Sequence, residues 1–434
     1  MTLTHARVFH IAMPIVLSNA TIPLLGAVDT AVIGQLGQAA PIGAVGLGAV
    51  ILATLYWAFG FLRMSTSGLA AQAHGAGDTP ERSATLMRAL CVAGAMGLAM
   101  VALQSVFFAA AFVIAPASGQ VETLARDYLA IRIWGAPATL GIYALTGWLI
   151  GVERTRGVLI LQIWQNALNM VLSVWFVLGL GWGVPGVAVA TLLAEWTGLA
   201  LGLWLARDAF GTGLARSIAR LRDRAALRAM FTASRDILLR SVILQLSFTT
   251  FVFLGARFGD DALAANLILL QFLSVMAFAL DGFAFAAETL VGQAVGQGSR
   301  AALHQASRIC MQWGYGGAAL LALIFAMAGG PLIDLMTTAP QVQSTARTYL
   351  PWLVAAPLIG AACWIYDGIF IGALMTGAMV RAAVLVLAIY IPALLVLVPL
   401  FGNHGLWAAL MVMNLARGIT LHRAFPQIVA RLQP

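Results

Sequence analysis

Stretches of twenty or more predominantly apolar residues, separated by short polar connectors, recur from one end of this chain to the other. A helix rises about 1.5 Å per residue, so each stretch is long enough to cross a hydrocarbon core about 30 Å thick. The stretches are continuous and do not alternate. That excludes barrel strands and leaves helices, whose backbone hydrogen bonds are satisfied within the segment. Twelve spans can be read, at 9–34, 44–70, 88–114, 127–151, 158–180, 184–207, 232–258, 262–290, 308–330, 349–374, 381–401 and 404–425. Only 9% of residues are charged, against about 25% in a soluble domain, and mean hydropathy is +0.93.

The connectors set the orientation. The chain has 24 basic residues against 16 acidic ones, a formal net charge of +8 and a pI near 10.1, and every Lys/Arg position is Arg. Connectors two, four, six, eight and ten carry Arg82, Arg154, Arg156, Arg216, Arg220, Arg222, Arg224, Arg228, Arg300 and Arg381. The alternate connectors have about one arginine each or none. This is the positive-inside pattern of a membrane protein, not a nucleic-acid patch, and it predicts both termini in the cytoplasm; the membrane is expected to be a bacterial inner membrane. Arg7 is followed by no clean cleavage site, so the first stretch is read as a helix rather than a signal peptide. Cys91, Cys310 and Cys363 are scattered in apolar runs and the six histidines show no metal spacing, so neither a disulfide framework nor a metal site is expected. The turns G-A-G-D and G-Q-G-S lack a following G-K-[ST], so no nucleotide cradle or other cofactor site is expected and an ion gradient is left as the energy source.

The longest polar connector divides the chain near its middle. A shift of about 221 residues sets G-L-A-A-Q-A-H-G-A-G-D (68–78) over T-L-V-G-Q-A-V-G-Q-G-S (289–299), and Gly147 and Gly151 over Gly368 and Gly372. Six spans plus six is even, so the halves enter the membrane alike, as parallel repeats with a substrate path between them. The predicted fold is an all-α polytopic membrane protein, with about 12 transmembrane helices in two pseudo-symmetric six-helix bundles around a central cavity. The predicted bundles are 1–207 and 232–434, joined by a cytoplasmic linker at 208–231.

Ionisable residues inside a bilayer are costly and mark pathways more often than not. Asp29 lies about 20 residues into the first span, six residues after Pro23, which frees the carbonyl of Asn19. A bent helix with a lone carboxylate suits proton binding; the alternative is a structural pair with Arg63. In the fifth span Gln162, Asn166, Asn169 and Ser173 share one helical face, predicted to look into a water-filled cavity or against a neighbouring helix. Asp281 and Glu288 lie on one face of span eight, and Asp367 in the inner half of span ten. Glu288 sits near a cytoplasmic end, and Glu195 is read as structural. The repeat shift puts these second-half acids over Gly60, Ser67 and Thr146, and Asp29 over Thr250, so the frame is duplicated but the acids are not.

The stretches F-L-R-M-S-T-S-G-L-A-A-Q-A (61–73), R-D-I-L-L-R-S (235–241), A-L-D-G-F-A-F-A-A-E (279–288) and D-G-I-F-I-G-A (367–373) resemble the multidrug and toxic compound extrusion (MATE) transporters, in the DinF-like branch. The resemblance covers nearly the whole chain. It implies two six-helix bundles forming a V around a cavity, and an acid of the first span that exchanges a cation, usually a proton, for an exported organic cation. Asp29 stands at that position. Many relatives read N-x-x-N-x-x-x-D in span five, whereas here Asn166 and Asn169 are followed by Ser173. The missing second acid makes sodium the less favoured coupling ion.

These readings together predict a monomeric, non-enzymatic proton antiporter for cationic amphipathic molecules. Asp29 would couple the proton. Asn166, Asn169, Ser173, Tyr143, Asp281 and Asp367 would line the cavity, with Arg63, Glu288 and Gln162 as secondary candidates. Trp57, Tyr143, Trp148, Met276 and Phe283 could supply adaptable aromatic and thioether walls. The rivals are a flippase for lipid-linked substrates, which would want Arg63 and Arg132 in the cavity, and an intramembrane enzyme using Asp281 and Asp367 as a pair.

Overall fold

The computed structural model describes residues 3–21, 28–29, 31–35, 37–211 and 214–432. Among the described residues there are helices and turns and no strand, and ten helices are long and apolar enough to cross a membrane. The helices are α1 (His5–Ala20), α2 (Ala39–Trp57), α3 (Phe61–Gly75), α4 (Thr79–Ala102), α5 (Gln104–Ile114), α6 (Gly119–Arg132), α7 (Ala136–Gly151), α8 (Thr155–Val174), α9 (Gly183–Leu205), α10 (Leu214–Arg220), α11 (Arg224–Gly255), α12 (Asp260–Gly296), α13 (Arg300–Met336), α14 (Pro340–Gly372) and α15 (Thr376–Ala430).

Several predicted spans are broken where the backbone turns. The second becomes α2 and α3, the third divides at Leu103 into α4 and α5, and the fourth divides at a short tight turn, Ile133–Gly135, into α6 and α7. Helix α15 is interrupted at Gly402, whose φ of 57° and ψ of −131° no helix contains, so one continuous assignment covers two arms. Pro23 and the bend expected around it lie outside the described residues.

By contacts the chain falls into two compact units, Leu17–Met230 and Phe231–Pro434, the second also taking Met1–Val16. In the second unit Arg7 Nη2 donates to Gln293 Oε1 at 2.8 Å, and a side chain at Gly282 would run into Val16 and the backbone of Ala12. Phe9 and Phe283 both pack on the Trp313 ring, at 5.7 and 6.0 Å between centroids. These contacts hold the start of α1 on α12 and α13.

The repeat is visible in the backbone. Three pairs of left-handed residues stand 221 apart: Gly77 and Gly298 (φ 71° and 66°), Glu153 and Leu374 (61° and 51°), and Gly181 and Gly402 (70° and 57°). Glu153 and Leu374 are notable because a side chain in that conformation costs roughly 1–2 kcal/mol. Each lies in the turn that follows the corresponding helix of its own unit, α7 or α14. Packing repeats likewise. In the first unit Gly147 and Gly151 of α7 lie against the carbonyls of Arg63 and Ser67 of α3; in the second, Gly368 and Gly372 of α14 lie against those of Ala284 and Glu288 of α12. All four contacts leave no room for a Cβ, so these small-x-x-x-small pairs let two helix backbones touch where membrane helices have little hydrophobic drive to associate.

Helix starts are set by capping. The Asp78 side chain accepts from the Glu81 amide with Pro80 in the first turn of α4, and Ser299 accepts from the Ala302 amide at the start of α13. The second unit's core gathers Phe251, Leu269, Tyr390 and Trp407, and buries an amide pair in which Asn266 and Asn403 donate to each other at 2.7 and 3.0 Å. Trp407 Nε1 adds a third bond, to Asn266 Oδ1 at 2.9 Å, so the buried amides are matched.

Candidate functional site

In the first unit the polar face of α8 organises the neighbouring helices. Ser173 Oγ donates to Asp29 Oδ1 at 3.1 Å and lies 3.5 Å from Asn169 Oδ1. Asn169 Nδ2 donates to Thr191 Oγ1 of α9 at 2.7 Å. Further along, Gln162 donates to Asn166 at 3.1 Å, and Asn166 Nδ2 donates to Thr21, at 2.7 Å to its hydroxyl and 3.2 Å to its carbonyl. Asn166, Asn169 and Ser173 are buried and Asp29 is half-buried. The face expected to meet either water or a neighbouring helix therefore meets helices here: the first span at two points and α9 at a third. Thr21 and Thr191 were not singled out from the sequence, although Thr191 sits one turn from Glu195, which the apolar pattern did flag. Directly after Ser173, residues Trp175–Gly179 form one wide π-type turn. Such turns are rare and often accompany functional positions.

A second buried polar cluster lies nearby. Arg132 holds Glu195 with both terminal nitrogens, at 2.7 and 3.0 Å. This bidentate pair joins α6 to α9, in keeping with a structural Glu195. Arg132 is also the cation whose charge reaches Asp29. Tyr143 is partly buried on α7 with Glu195 and Arg63 as its charged neighbours. Trp148, one of the expected walls of the cavity, is fully buried and donates from Nε1 to the Arg82 carbonyl at 2.9 Å, so it packs the unit instead.

In the second unit Asp367 is not a free acid. Arg240 of α11 and Arg417 of α15 both donate to Asp367 Oδ2, and the three side chains are buried together. Asp281 lies close enough for its charge to act on both arginines. Two acids and two bases thus form a cluster close to neutral, which removes Asp367 from the groups expected to face a cation. The charge of Arg240 and Arg417 had been visible in the sequence, but nothing in helical spacing pairs residues from three different helices. Glu288 is fully buried where α12 meets Gly372, one repeat away from Ser67. Among the described residues no group of three or more His, Cys, Asp or Glu is placed to hold a metal ion.

Outside the membrane spans, Arg220 of α10 donates to Asp78 Oδ2 at 2.6 Å and ties the polar linker to the start of α4. Burial alone would push the Asp78 carboxyl up. The Arg220 hydrogen bond, the Glu81 amide and the Arg220 charge outweigh it and hold the group below the ordinary carboxylate range.

Comparison with known proteins agrees with this architecture. The MatE family model matches residues 14–175 and again 237–398, once in each half. The chain is 40% identical to DNA damage-inducible protein F of Escherichia coli over 423 residues, covering 97% of this chain and 92% of the relative. It is 24% identical over 348 residues to a protein of Neisseria meningitidis named as a probable multidrug resistance protein, NorM, covering 78% and 75%. Among solved structures, a MATE protein in its bent conformation superposes with a TM-score of 0.87 at 17% identity, covering 98% of this chain and 95% of that one. At that identity the likeness speaks for the fold alone.

Proposed function

The chain belongs to the MatE family of membrane transporters, and from that membership and the surroundings of Asp29 we propose that it exports organic cations in exchange for protons. The observation that carries the reading is the position of the Ser173 hydroxyl. It has one proton to give and two acceptors within reach, Asp29 Oδ1 at 3.1 Å and Asn169 Oδ1 at 3.5 Å. An ionised Asp29 is the stronger acceptor and takes the bond. Once Asp29 is protonated, the hydroxyl turns to Asn169, whose amide is held by Thr191 of α9. One proton thereby switches hydrogen bonding between the first span and the α8–α9 pair, which is the kind of two-state element that a gradient can bias.

Protons are favoured over sodium because the neighbours of Asp29 are a hydroxyl and an amide rather than a second carboxylate, and a hard cation wants several charged or carbonyl oxygens. A cationic amphipathic cargo fits the family and a predominantly apolar chain. A phosphate-bearing lipid cargo is less well served, since both terminal nitrogens of Arg132 are already spent on Glu195.

The test is ethidium efflux from inverted vesicles under an imposed pH gradient without sodium, with wild type beside Asp29→Asn. Efflux in the wild type that disappears in the mutant supports proton antiport through Asp29. Undiminished efflux in the mutant moves the coupling site elsewhere, with Asp281 next in line. No efflux from folded wild type overturns the cargo class.

A further inference from the structure

The second unit carries a groove that the transport reading does not use. Two adjoining hollows of about 460 and 530 Å³ share Met311, Tyr315, Tyr366 and His422, and so form one depression over α14 between α13 and the end of α15. Its two ends differ in chemistry. One is a track of exposed apolar side chains, with Leu358, Leu415 and Ile419 among them. The other is rimmed by Arg308, Arg423 and His422, where Tyr366 Oη and His422 Nδ1 stand 2.5 Å apart.

Both arginines are exposed, and among the described residues neither has an ion-pair or hydrogen-bond partner. Some exposed arginines elsewhere are engaged, as Arg126 is with Glu122, Arg154 with Asp208 and Arg347 with Asp334, and others, such as Arg222 and Arg257, are not engaged among the described residues. The basic rim lies at the helix ends next to Arg300 and Arg381, the side that the arginine bias assigns to the cytoplasm. The apolar track runs from there toward the middle of the membrane.

The fold itself does not ask for this rim. In the first half the corresponding helix end reads L-A-L-G-L-W-L-A (199–206), with no ionisable group, and Leu145 stands where the second half has Tyr366. The same frame thus carries apolar residues at these positions in one half and a basic, hydroxyl-bearing notch in the other.

We propose that this groove is a binding site for an anionic phospholipid of the cytoplasmic leaflet. Arg308 and Arg423 would grip the phosphate, Tyr366 and His422 would bond its oxygens, and one acyl chain would lie along Leu358, Leu415 and Ile419. Unpartnered guanidiniums match a phosphate in both charge and geometry. Basic pockets between helices on the cytoplasmic side are favourable places for such headgroups. A cationic cargo is turned away by the same two charges.

The experiment is native mass spectrometry of the purified full chain, titrated with phosphatidylglycerol or phosphatidylcholine of identical acyl chains. Wild type is expected to retain one phosphatidylglycerol beyond its retention of phosphatidylcholine. R308Q/R423Q should weaken that binding on the order of 10-fold. Arg347→Gln, at the opposite helix ends, should leave it unchanged. Both target arginines are exposed, and a thermal unfolding curve for each variant keeps loss of folding separate from loss of the site. Equal retention of the two lipids by wild type would overturn the proposal, as would full retention of phosphatidylglycerol by R308Q/R423Q. Displacement of the lipid by inorganic phosphate would make this a small-anion site, and displacement by ethidium would make it part of the cargo path; either result overturns it too.

Discussion

Ser173 donates to Asp29 across 3.1 Å, so the acid of the first span meets α8 through a hydroxyl and not through a second acid. A hydrogen bond to a charged group is worth about 1.5–3 kcal/mol. Ser173→Ala is therefore expected to slow proton-driven efflux on the order of tenfold, and Asp29→Asn to abolish it, both read as initial rates at one fixed gradient. Ser173→Asp would place a second carboxylate beside the first and should make efflux respond to sodium, which the wild type should not do. A sodium-stimulated wild type would refute the assignment of the coupling ion.

The Asp367 cluster predicts an asymmetry in stability. Asp367→Asn takes the hydrogen-bonded acid from buried Arg240 and Arg417, leaves Asp281 alone to balance two charges, and should cost about 3–5 kcal/mol. Arg417→Gln should cost clearly less, because Arg240 still neutralises the acid. Unfolding midpoints in detergent give the comparison. Equal losses would mean that the three groups do not act as a unit.

Close helix contacts make a second stability prediction. A methyl at Gly147 or Gly368 would press on the backbone of Arg63 or Ala284, whereas Gly34 has nothing within 4 Å of a new Cβ. Gly147→Ala and Gly368→Ala should each destabilise by about 1–3 kcal/mol and by similar amounts. Gly34→Ala should be neutral or slightly stabilising. A harmless Gly368→Ala beside a harmful Gly147→Ala would show that the two units do not share this contact.

The linker contact carries a pH dependence. The folded value of Asp78 lies below its unfolded one, so its stabilisation is complete above the ordinary value of 3.8 and is lost as pH falls through the lower, folded value. At neutral pH, Arg220→Ala should speed amide exchange in residues 214–220 modestly, since the pair is exposed and screened by salt. At a pH below the folded value of Asp78, wild type and variant should exchange alike. A difference that persists there would mean that Arg220 holds the linker by some other contact.

Much of the frame was legible in the sequence. Lipid imposes a length and an apolar character on each span, so membrane helices, their connectors and the 221-residue repeat could all be read directly. Interruptions at Leu103, Ile133–Gly135 and Gly402 were less visible, because a turn inside an apolar run changes no residue's hydropathy. The site divided along the same line. The α8 face could be read from its spacing, which is local, whereas the hydrogen bond from Ser173 to Asp29 joins two helices and is given by packing. The partners of Asp367 could not, because Arg240, Asp367 and Arg417 come from three helices and only packing joins them. Trp148 misled for a related reason: a large aromatic serves equally well as a wall or as filling, and here its indole N–H ends on the Arg82 carbonyl.

The left-handed residues at matching places in both units bear on how many ions one cycle can spend. A frame copied whole would have carried its acid twice, and an exporter so built would have two like sites to load. Here the copy of Asp29 is Thr250, whose hydroxyl is turned back onto the Leu246 carbonyl at 2.8 Å. A threonine in that posture takes up no proton. On the proposed reading this machine is geared low, with one such ion per turnover from a body built for two.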